Sequence, residues 1–277
     1  MLSYRHSFHA GNAADVFKHI ALVLLLRALL RKETPLCYLE THAGAGRYDL
    51  GCAEAQKNRE YADGIGRLWS QGQAPAPVAD YLALIRQFNP GQALNAYPGS
   101  PAIAQCLLRP QDRLVLCELH NSEYPLLKRL FSTDDRVAVH HQDGLQALKA
   151  FLPPRENRGL VFIDPAYELP QTWQQVVDSI QIAHRRWPNG SYAIWYPLIA
   201  GRSRQPFGTR LEHSGIRKIL RADMLLNENE RGMQGSGLII VNPPWQVKET
   251  LEALLPWLVR ILAVGQGAYT VDWLVEE

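Results

Sequence analysis

The stretch Leu36-Cys37-Tyr38-Leu39-Glu40-Thr41-His42-Ala43-Gly44-Ala45-Gly46 decides the fold. Its first five residues read as a short apolar strand, and the rest is a loop of small residues. A strand that opens into such a loop begins a nucleotide-binding α/β unit, whose ligands sit beyond the carboxyl ends of the strands. Two glycines let the backbone approach a ligand closely.

Working outward, Asp15 to Arg31 has apolar residues at helical spacing, with Arg27 facing outward, and Thr34-Pro35 ends that helix. After the loop the simple plan is interrupted. Residues 47–96 are polar and alanine-rich, with helical spacing at Ile65, Leu68 and Trp69 and again from Val78 to Phe88. They read as an inserted helical subdomain. Residues 1–46 and 97–277 form the main domain, with residues 1–15 as an N-terminal tail. The delayed helix then starts at Ser100-Pro101, where serine reads as the N-cap and proline as the first helical residue.

From there strands alternate with helices. Strands are expected at Arg113 to Glu118, Val137 to His140, Gly159 to Ile163, Ser191 to Tyr196, Gly237 to Val241 and Ala268 to Val275. Helices are expected at Tyr124 to Phe131, Leu145 to Phe151, Trp173 to Arg185 and Lys248 to Leu262. Such alternation implies an α/β fold, a mostly parallel twisted sheet with helices on both faces.

The 277 residues are 47% hydrophobic, ample for a sizeable core, and the net charge is only +2. Any basic surface is therefore local. The candidate is Arg202 to Arg231, which holds Arg202, Arg204, Arg210, Arg217, Lys218, Arg221 and Arg231. Cys37, Cys52, Cys106 and Cys117 have no zinc-ligand spacing, which points to a reducing cytoplasm and no metal. Met1 to Asn12 is polar and histidine-rich, unlike a signal peptide. The most apolar run, Ile20 to Leu30, contains Arg27 and is too short to span a bilayer.

Two further features follow the next two strands, and a third opens the delayed helix. Glu118 can accept both ribose hydroxyls of an adenosyl group. Asp143 can take an adenine amino group, with Gly144 leaving room for the ring. The amides at the start of the helix at Ser100 can face a cofactor carboxylate. The spacing Gly44-Ala45-Gly46-Arg47-Tyr48-Asp49 lacks a complete GxGxxG, which disfavours nicotinamide and flavin.

Asp164-Pro165-Ala166-Tyr167 ends the fourth of these strands and resembles the [D/N]-P-P-[Y/F/W] signature of amino-group methyltransferases. An exocyclic amine is a poor nucleophile because its lone pair is delocalised into the ring. The Asp164 carboxylate and the Pro165 carbonyl, accepting its two hydrogens, localise that pair, and Tyr167 stacks on a base turned out of its helix. Asn242-Pro243-Pro244-Trp245 matches the same signature in full. It follows a late strand, however, and reads as a rigid strand-to-helix connection. Tyr4, His6, His9, Lys18 and His19 form a polar cluster before and on the first helix.

The opening Met1-Leu2-Ser3-Tyr4-Arg5-His6-Ser7-Phe8-His9-Ala10-Gly11-Asn12, with Asp15 and Lys18-His19, resembles the RlmJ family of 23S rRNA adenine-N6 methyltransferases. So do Thr41 to Tyr48, Tyr97-Pro98-Gly99-Ser100-Pro101, Gly215 to Leu220 and Asn242-Pro243-Pro244-Trp245. The resemblance implies a Rossmann-like methyltransferase fold that uses S-adenosyl-L-methionine. It implies cofactor contacts from His19, His42, Ser100, Glu118, Asp143, Gly144 and Asp164, with Lys18 close by. It also implies that Asp164 is catalytic and that Tyr4 and Lys18 lie in an N-terminal region that closes over the cofactor. Tyr4 and His6 are expected to meet the RNA. The implied partner is an adenine in a hairpin of 23S rRNA, acted on by a cytoplasmic monomer. One departure stands out: Ala166 occupies the family's second proline. Two alternatives are a DNA adenine methyltransferase and a nucleic-acid binding or processing protein linked to use of external DNA. The first needs a separate element that reads the major groove. A nuclease would need clustered carboxylates holding metal, and none is visible in the sequence.

Overall fold

The computed structural model describes residues 5–91, 93–201, 205–228 and 232–277. Tyr4, Arg202, Arg204 and Arg231 lie outside them. After a 3-10 turn at His6–Phe8 come α1 (Ala13–Leu29), β1 (Cys37–Glu40) and β2 (Arg47–Asp49). Next are α2 (Ala53–Asn58), α3 (Glu60–Asp63), α4 (Ile65–Trp69), α5 (Ala76–Gln87), β3 (Ala96–Pro98) and α6 (Ser100–Leu107). The regular half is β4 (Arg113–Cys117), α7 (Glu123–Leu130), β5 (Val137–His140), α8 (Gly144–Phe151), β6 (Gly159–Ile163) and α9 (Gln171–Arg186). The chain closes with β7 (Ser191–Ile199), α10 (Gln205–Glu212), β8 (Ile219–Leu225), β9 (Met233–Val241), α11 (Val247–Leu262) and β10 (Ala268–Val275).

Among the described residues, the main sheet runs β10-β8-β9-β7-β6-β1-β4-β5. The five strands from β5 to β7 are parallel, while β9 pairs antiparallel with both β7 and β8. This is the expected Rossmann-like α/β sheet. Its strand order reverses at β1, which has β4 on one side and β6 on the other. Helices cover both faces. One core packs α1, α5, α6 and α11 against Tyr38, Leu114 and Phe162. The other packs α8, α9 and α10 against Leu39, Val115, Val161 and Ile163.

The helix α1 is buried on nearly every side because it lies beneath both the sheet and the helices α5, α6 and α11. Its first two turns nevertheless carry Asp15, Lys18 and His19, a polar stripe at spacings of three and four that faces a single direction. Asn12 caps the helix by accepting from the Asp15 amide at 2.9 Å.

Residues 47–96 hold α2 to α5 between the paired strands β2 and β3. Their apolar residues Leu68, Val78, Tyr81 and Ile85 join the same core as α1. The strand β8 went unread in the sequence because Arg221 and Asp223 interrupt its apolar run. Arg221 is neutralised by Asp272 on the neighbouring strand at 2.8 Å, and Asp223 accepts from the Tyr196 hydroxyl. Arg221 is thus committed inside the sheet, and Lys218 pairs with Glu277. The described part of the expected basic face is accordingly less continuous than its composition implied.

Candidate active site

The parallel strands all end at one edge, in register. Glu40 stands opposite Leu116 and Phe162, Cys117 opposite His140, and Ile163 opposite Ile194. The residues that follow, His42, Glu118, Asp143, Asp164 and Trp195, therefore line one crevice at the reversal of strand order. That crevice opens into a cavity of about 540 Å³, within the roughly 300–1,000 Å³ of small-molecule pockets. His6, Lys18, His19, His42, Ser100, Glu118, Asp143, Gly144, Asp164, Pro165 and Tyr167 all line it. Tyr4 lies outside the described residues.

Lys18 reaches across from α1. Its Nζ lies 2.8 Å from Asp15 Oδ1 and 2.5 Å from Asp164 Oδ2. Burial opposes the ammonium charge, but Asp15 and Asp164 together raise the Lys18 pKa above the usual lysine value. Asp15 is the hub of this corner. Its Oδ2 lies 2.8 Å from His6 Nε2 and accepts the Gly11 amide at 2.9 Å. Burial works against its ionisation, yet the charges of His6 and Lys18 hold it well below the usual carboxylate range. His9 and Asn12 both reach Glu60 on α3, at 2.9 and 3.0 Å, which fastens the N-terminal turn to that helix.

Along the strand ends, Glu118 accepts the Gly44 amide on one oxygen and the His120 amide on the other, both at 2.7 Å. Gly44 takes a φ of +60°, and a side chain there would meet the Tyr48 hydroxyl. Asp143 caps α8, accepting from Leu145 at 2.9 Å and Gln146 at 3.2 Å. His42 Nδ1 is 2.8 Å from Thr41 Oγ1, and burial lowers its pKa. The Tyr167 hydroxyl donates to the Trp195 carbonyl at 2.8 Å, and its ring packs on Trp173 at 4.3 Å. Burial, with Asp164 adding to it, raises the Tyr167 pKa well above its ordinary value. Part of this tyrosine lines the cavity.

One expectation needs correction. Ser100 is the first residue of α6, and Gly99 is its N-cap. The Ser100 hydroxyl is drawn instead to Glu40, to which it donates. Gly144 lines the cavity and also makes room for the loop after β1, since a Cβ there would stand 2.0 Å from the Thr41 carbonyl oxygen.

Sequence reasoning assigned no role to Glu40, Tyr97 or Trp195. Glu40 is fully buried at the end of β1, bonded to Ser100 and to the Tyr38 hydroxyl at 2.8 Å. Burial pushes its pKa up to about 8 against the lowering effect of those two donors. An acid that closes an apolar strand directly before a small-residue loop was the signal available. Trp195 sits beside Asp164 with Lys18 Nζ 5.7 Å above its ring, and nothing in its local sequence marks it.

The rival tetrapeptide lies at the opposite end of the sheet. Because β9 runs antiparallel to β7, Asn242 emerges beside the start of β7 and far from Asp164. Its Nδ2 donates to the carbonyls of Pro188 at 2.7 Å and Gly190 at 2.8 Å. It is a strand-to-helix connector, and Trp245 is exposed.

A family model described as ribosomal RNA large subunit methyltransferase D, RlmJ, matches residues 33–275. The chain belongs to the RlmJ family. The ribosomal RNA large subunit methyltransferase J of Escherichia coli K12 is 47% identical over 280 residues, covering all of both chains. The enzyme of the same name from Haemophilus influenzae is also 47% identical, again over the whole of both. A crystal structure of a Legionella pneumophila protein superposes with a TM-score of 0.90 at 39% identity, covering 96% of this chain and 98% of that one. Membership of this methyltransferase family accords with the strand-end crevice and its carboxylates.

The residues present fit S-adenosyl-L-methionine. The cavity is large enough, Glu118 and Asp143 supply acceptors at adjacent strand ends, and the amino end of α6 opens at Gly99 and Ser100. Among the described residues, no group of three or more His, Cys, Asp or Glu side chains is placed to hold a metal ion. None of their helices is long and apolar enough to cross a membrane.

Proposed function

We propose that this protein methylates the N6 amine of an adenine in a hairpin of 23S rRNA, using S-adenosyl-L-methionine. The observation that carries the reading is Asp164, held at the strand-end crevice by a buried lysine and followed by Pro165 at the cavity wall. Glu118 and Asp143 would hold the ribose and the adenine of the cofactor, with His42, Gly144 and Ser100 shaping its bed. The amino end of α6 and His19 would face its carboxylate. Residues 47–96 form, in this reading, an inserted helical layer that fastens the N-terminal turn.

When bound, the cofactor supplies a methyl group already activated on a sulfonium, so orientation and charge placement are what the protein contributes. Asp164 and the Pro165 carbonyl accept the two N6 hydrogens and turn the nitrogen lone pair toward the methyl group. Lys18 aims Asp164, occupying Oδ2 while the carboxylate retains lone pairs for the amine. Asp164 then takes the proton that leaves the nitrogen. Tyr167 contacts the flipped base, and His6 meets the RNA beside it.

The test is transfer of labelled methyl to protein-free 23S rRNA, with mass mapping of N6-methyladenine. Asp164→Ala is expected to abolish transfer. The reading fails if the wild-type enzyme leaves rRNA with a free target adenine unmodified, or if duplex DNA is the better substrate.

A further inference from the structure

His19 shows one ring nitrogen to the protein and leaves the other toward the cavity. Nδ1 lies 2.8 Å from the Tyr97 hydroxyl, which lies 2.9 Å from the Tyr81 hydroxyl. His19 is 1% exposed and both tyrosines 0%. The imidazole lines the cavity, and among the described residues the bond to Tyr97 is its hydrogen bond to the protein. Tyr81 likewise has Tyr97 as its hydrogen-bond partner.

The protons of this chain can run in two directions. If Tyr81 donates to Tyr97 and Tyr97 donates to Nδ1, both hydroxyl protons have acceptors and the imidazole proton sits on Nε2. If the chain runs the other way, the Tyr81 proton is left in the core with no acceptor. A stranded buried donor costs about tenfold or more in population. Which imidazole nitrogen carries the proton is set by the bond the other one makes. The charged form is excluded as well. Burial, helped by Lys18 and His6 against the pull of Asp15, pushes the His19 pKa down to about 3.

We propose that Tyr97, backed by the Tyr81 hydroxyl, is a positioning residue that holds His19 as its Nε2–H tautomer, a neutral donor aimed at an oxygen of the cofactor. The proposal rests on the reading that this cavity binds S-adenosyl-L-methionine. Gly99 and Ser100, at the amino end of α6, line the same cavity as His19, so the matching acceptor is an anionic oxygen, the cofactor carboxylate. Tyr81 belongs to α5, so the segment between β2 and β3 stands behind the tyrosine that holds His19.

The experiment is nitrogen–proton correlation spectroscopy of the full-length protein labelled at histidine. His19 is assigned by the signals lost in His19→Gln, and calorimetry with S-adenosyl-L-methionine runs in parallel. Wild-type His19 is expected to carry its proton on Nε2 before any cofactor is added. Tyr97→Phe removes the partner of Nδ1, so the preference is lost and a mixture of tautomers should appear, whereas Tyr81→Phe leaves Nδ1 to accept the Tyr97 proton and should keep the Nε2–H form. Tyr97→Phe should weaken cofactor binding by about tenfold while saturated kcat changes less than about twofold. The tautomer of the wild-type protein still decides the matter if Tyr97→Phe does not fold.

A wild-type His19 protonated on Nδ1 overturns the proposal. So does a folded Tyr97→Phe protein whose tautomer and affinity both match wild type. An Nε2–H tautomer that shifts in Tyr97→Phe, in a protein that does not bind S-adenosyl-L-methionine, supports the role of Tyr97 and sinks the cofactor reading instead.

Discussion

Lys18 and Asp164 stand 146 positions apart in the chain, and their side chains meet at 2.5 Å. The same ammonium holds Asp15, so one buried cation balances two carboxylates. Removing one partner of a buried ion pair leaves an uncompensated charge and costs about 3–5 kcal/mol. Lys18→Met should therefore lower the unfolding free energy by about that amount. It should also lower kcat at least about a hundredfold, because misplacing a catalytic group by an ångström costs that much. Denaturant unfolding and single-turnover methyl transfer check the two parts. A variant with wild-type kcat would remove Lys18 from any role in aiming Asp164.

Glu40 predicts a pH dependence. Its carboxyl has a pKa of about 8 in the fold and the ordinary value of 4.5 when unfolded, so the folded protein binds its proton more tightly. Its contribution to stability is then fully present below about pH 4.5 and is lost as pH rises through 8. Each tenfold change in proton affinity is worth about 1.4 kcal/mol, so the loss is on the order of a few kcal/mol. Glu40→Gln stays neutral and can still accept from one hydroxyl while donating to the other. Urea unfolding across pH 5 to 9 should show a smaller fall for Glu40→Gln than for wild type. Equal slopes would mean that Glu40 is ionised in the fold at all of these values.

What could be read in the sequence follows the physics of each element. The parallel half was legible because each strand is an apolar run closed by a polar residue, as at Glu118 and Asp164, and strand order then fixes which edge those residues share. The strand β8 was hidden because the neutralisation of Arg221 comes from Asp272, 51 positions further on. The site divides the same way. Asp143 and Asp164 carry their meaning in local spacing, whereas Glu40, Tyr81 and Tyr97 acquire theirs from partners that only the fold brings near. Ser100 shows a local signal outweighed by a distant one. Serine before proline has the chemistry of a cap, but a buried carboxyl 60 positions earlier takes its hydroxyl.

The two matching tetrapeptides can be separated by experiment. Asn242 has a φ of +50° and ties two carbonyls at the start of β7. Asn242→Ala loses both bonds and places alanine in the left-handed region, so destabilisation of about 2–3 kcal/mol is expected. At a temperature where the variant is folded, kcat and KM should match wild type. Thermal unfolding and steady-state kinetics measured side by side decide it. A kcat deficit at equal folded fraction would show that this corner communicates with the active site.

Gly144 offers the sharpest test of the crevice floor. The Cβ of an alanine there would fall 2.0 Å from the Thr41 carbonyl oxygen and 2.5 Å from its carbonyl carbon, all backbone atoms with no rotamer to yield. The loop carrying His42 and Gly44 must therefore move away from the start of α8. That movement pulls the Gly44 amide from Glu118, a bond of 2.7 Å between the two sides of the proposed ribose site. Gly144→Ala should consequently weaken S-adenosyl-L-methionine binding by about tenfold or more, as expected for losing one charge-assisted hydrogen bond. Asp164 and Lys18 lie outside the moved loop, so kcat at saturating cofactor should fall much less than kcat/KM. Calorimetry with the cofactor, paired with initial rates at saturating RNA, separates the two. An unchanged cofactor affinity would mean that the loop after β1 does not hold the cofactor.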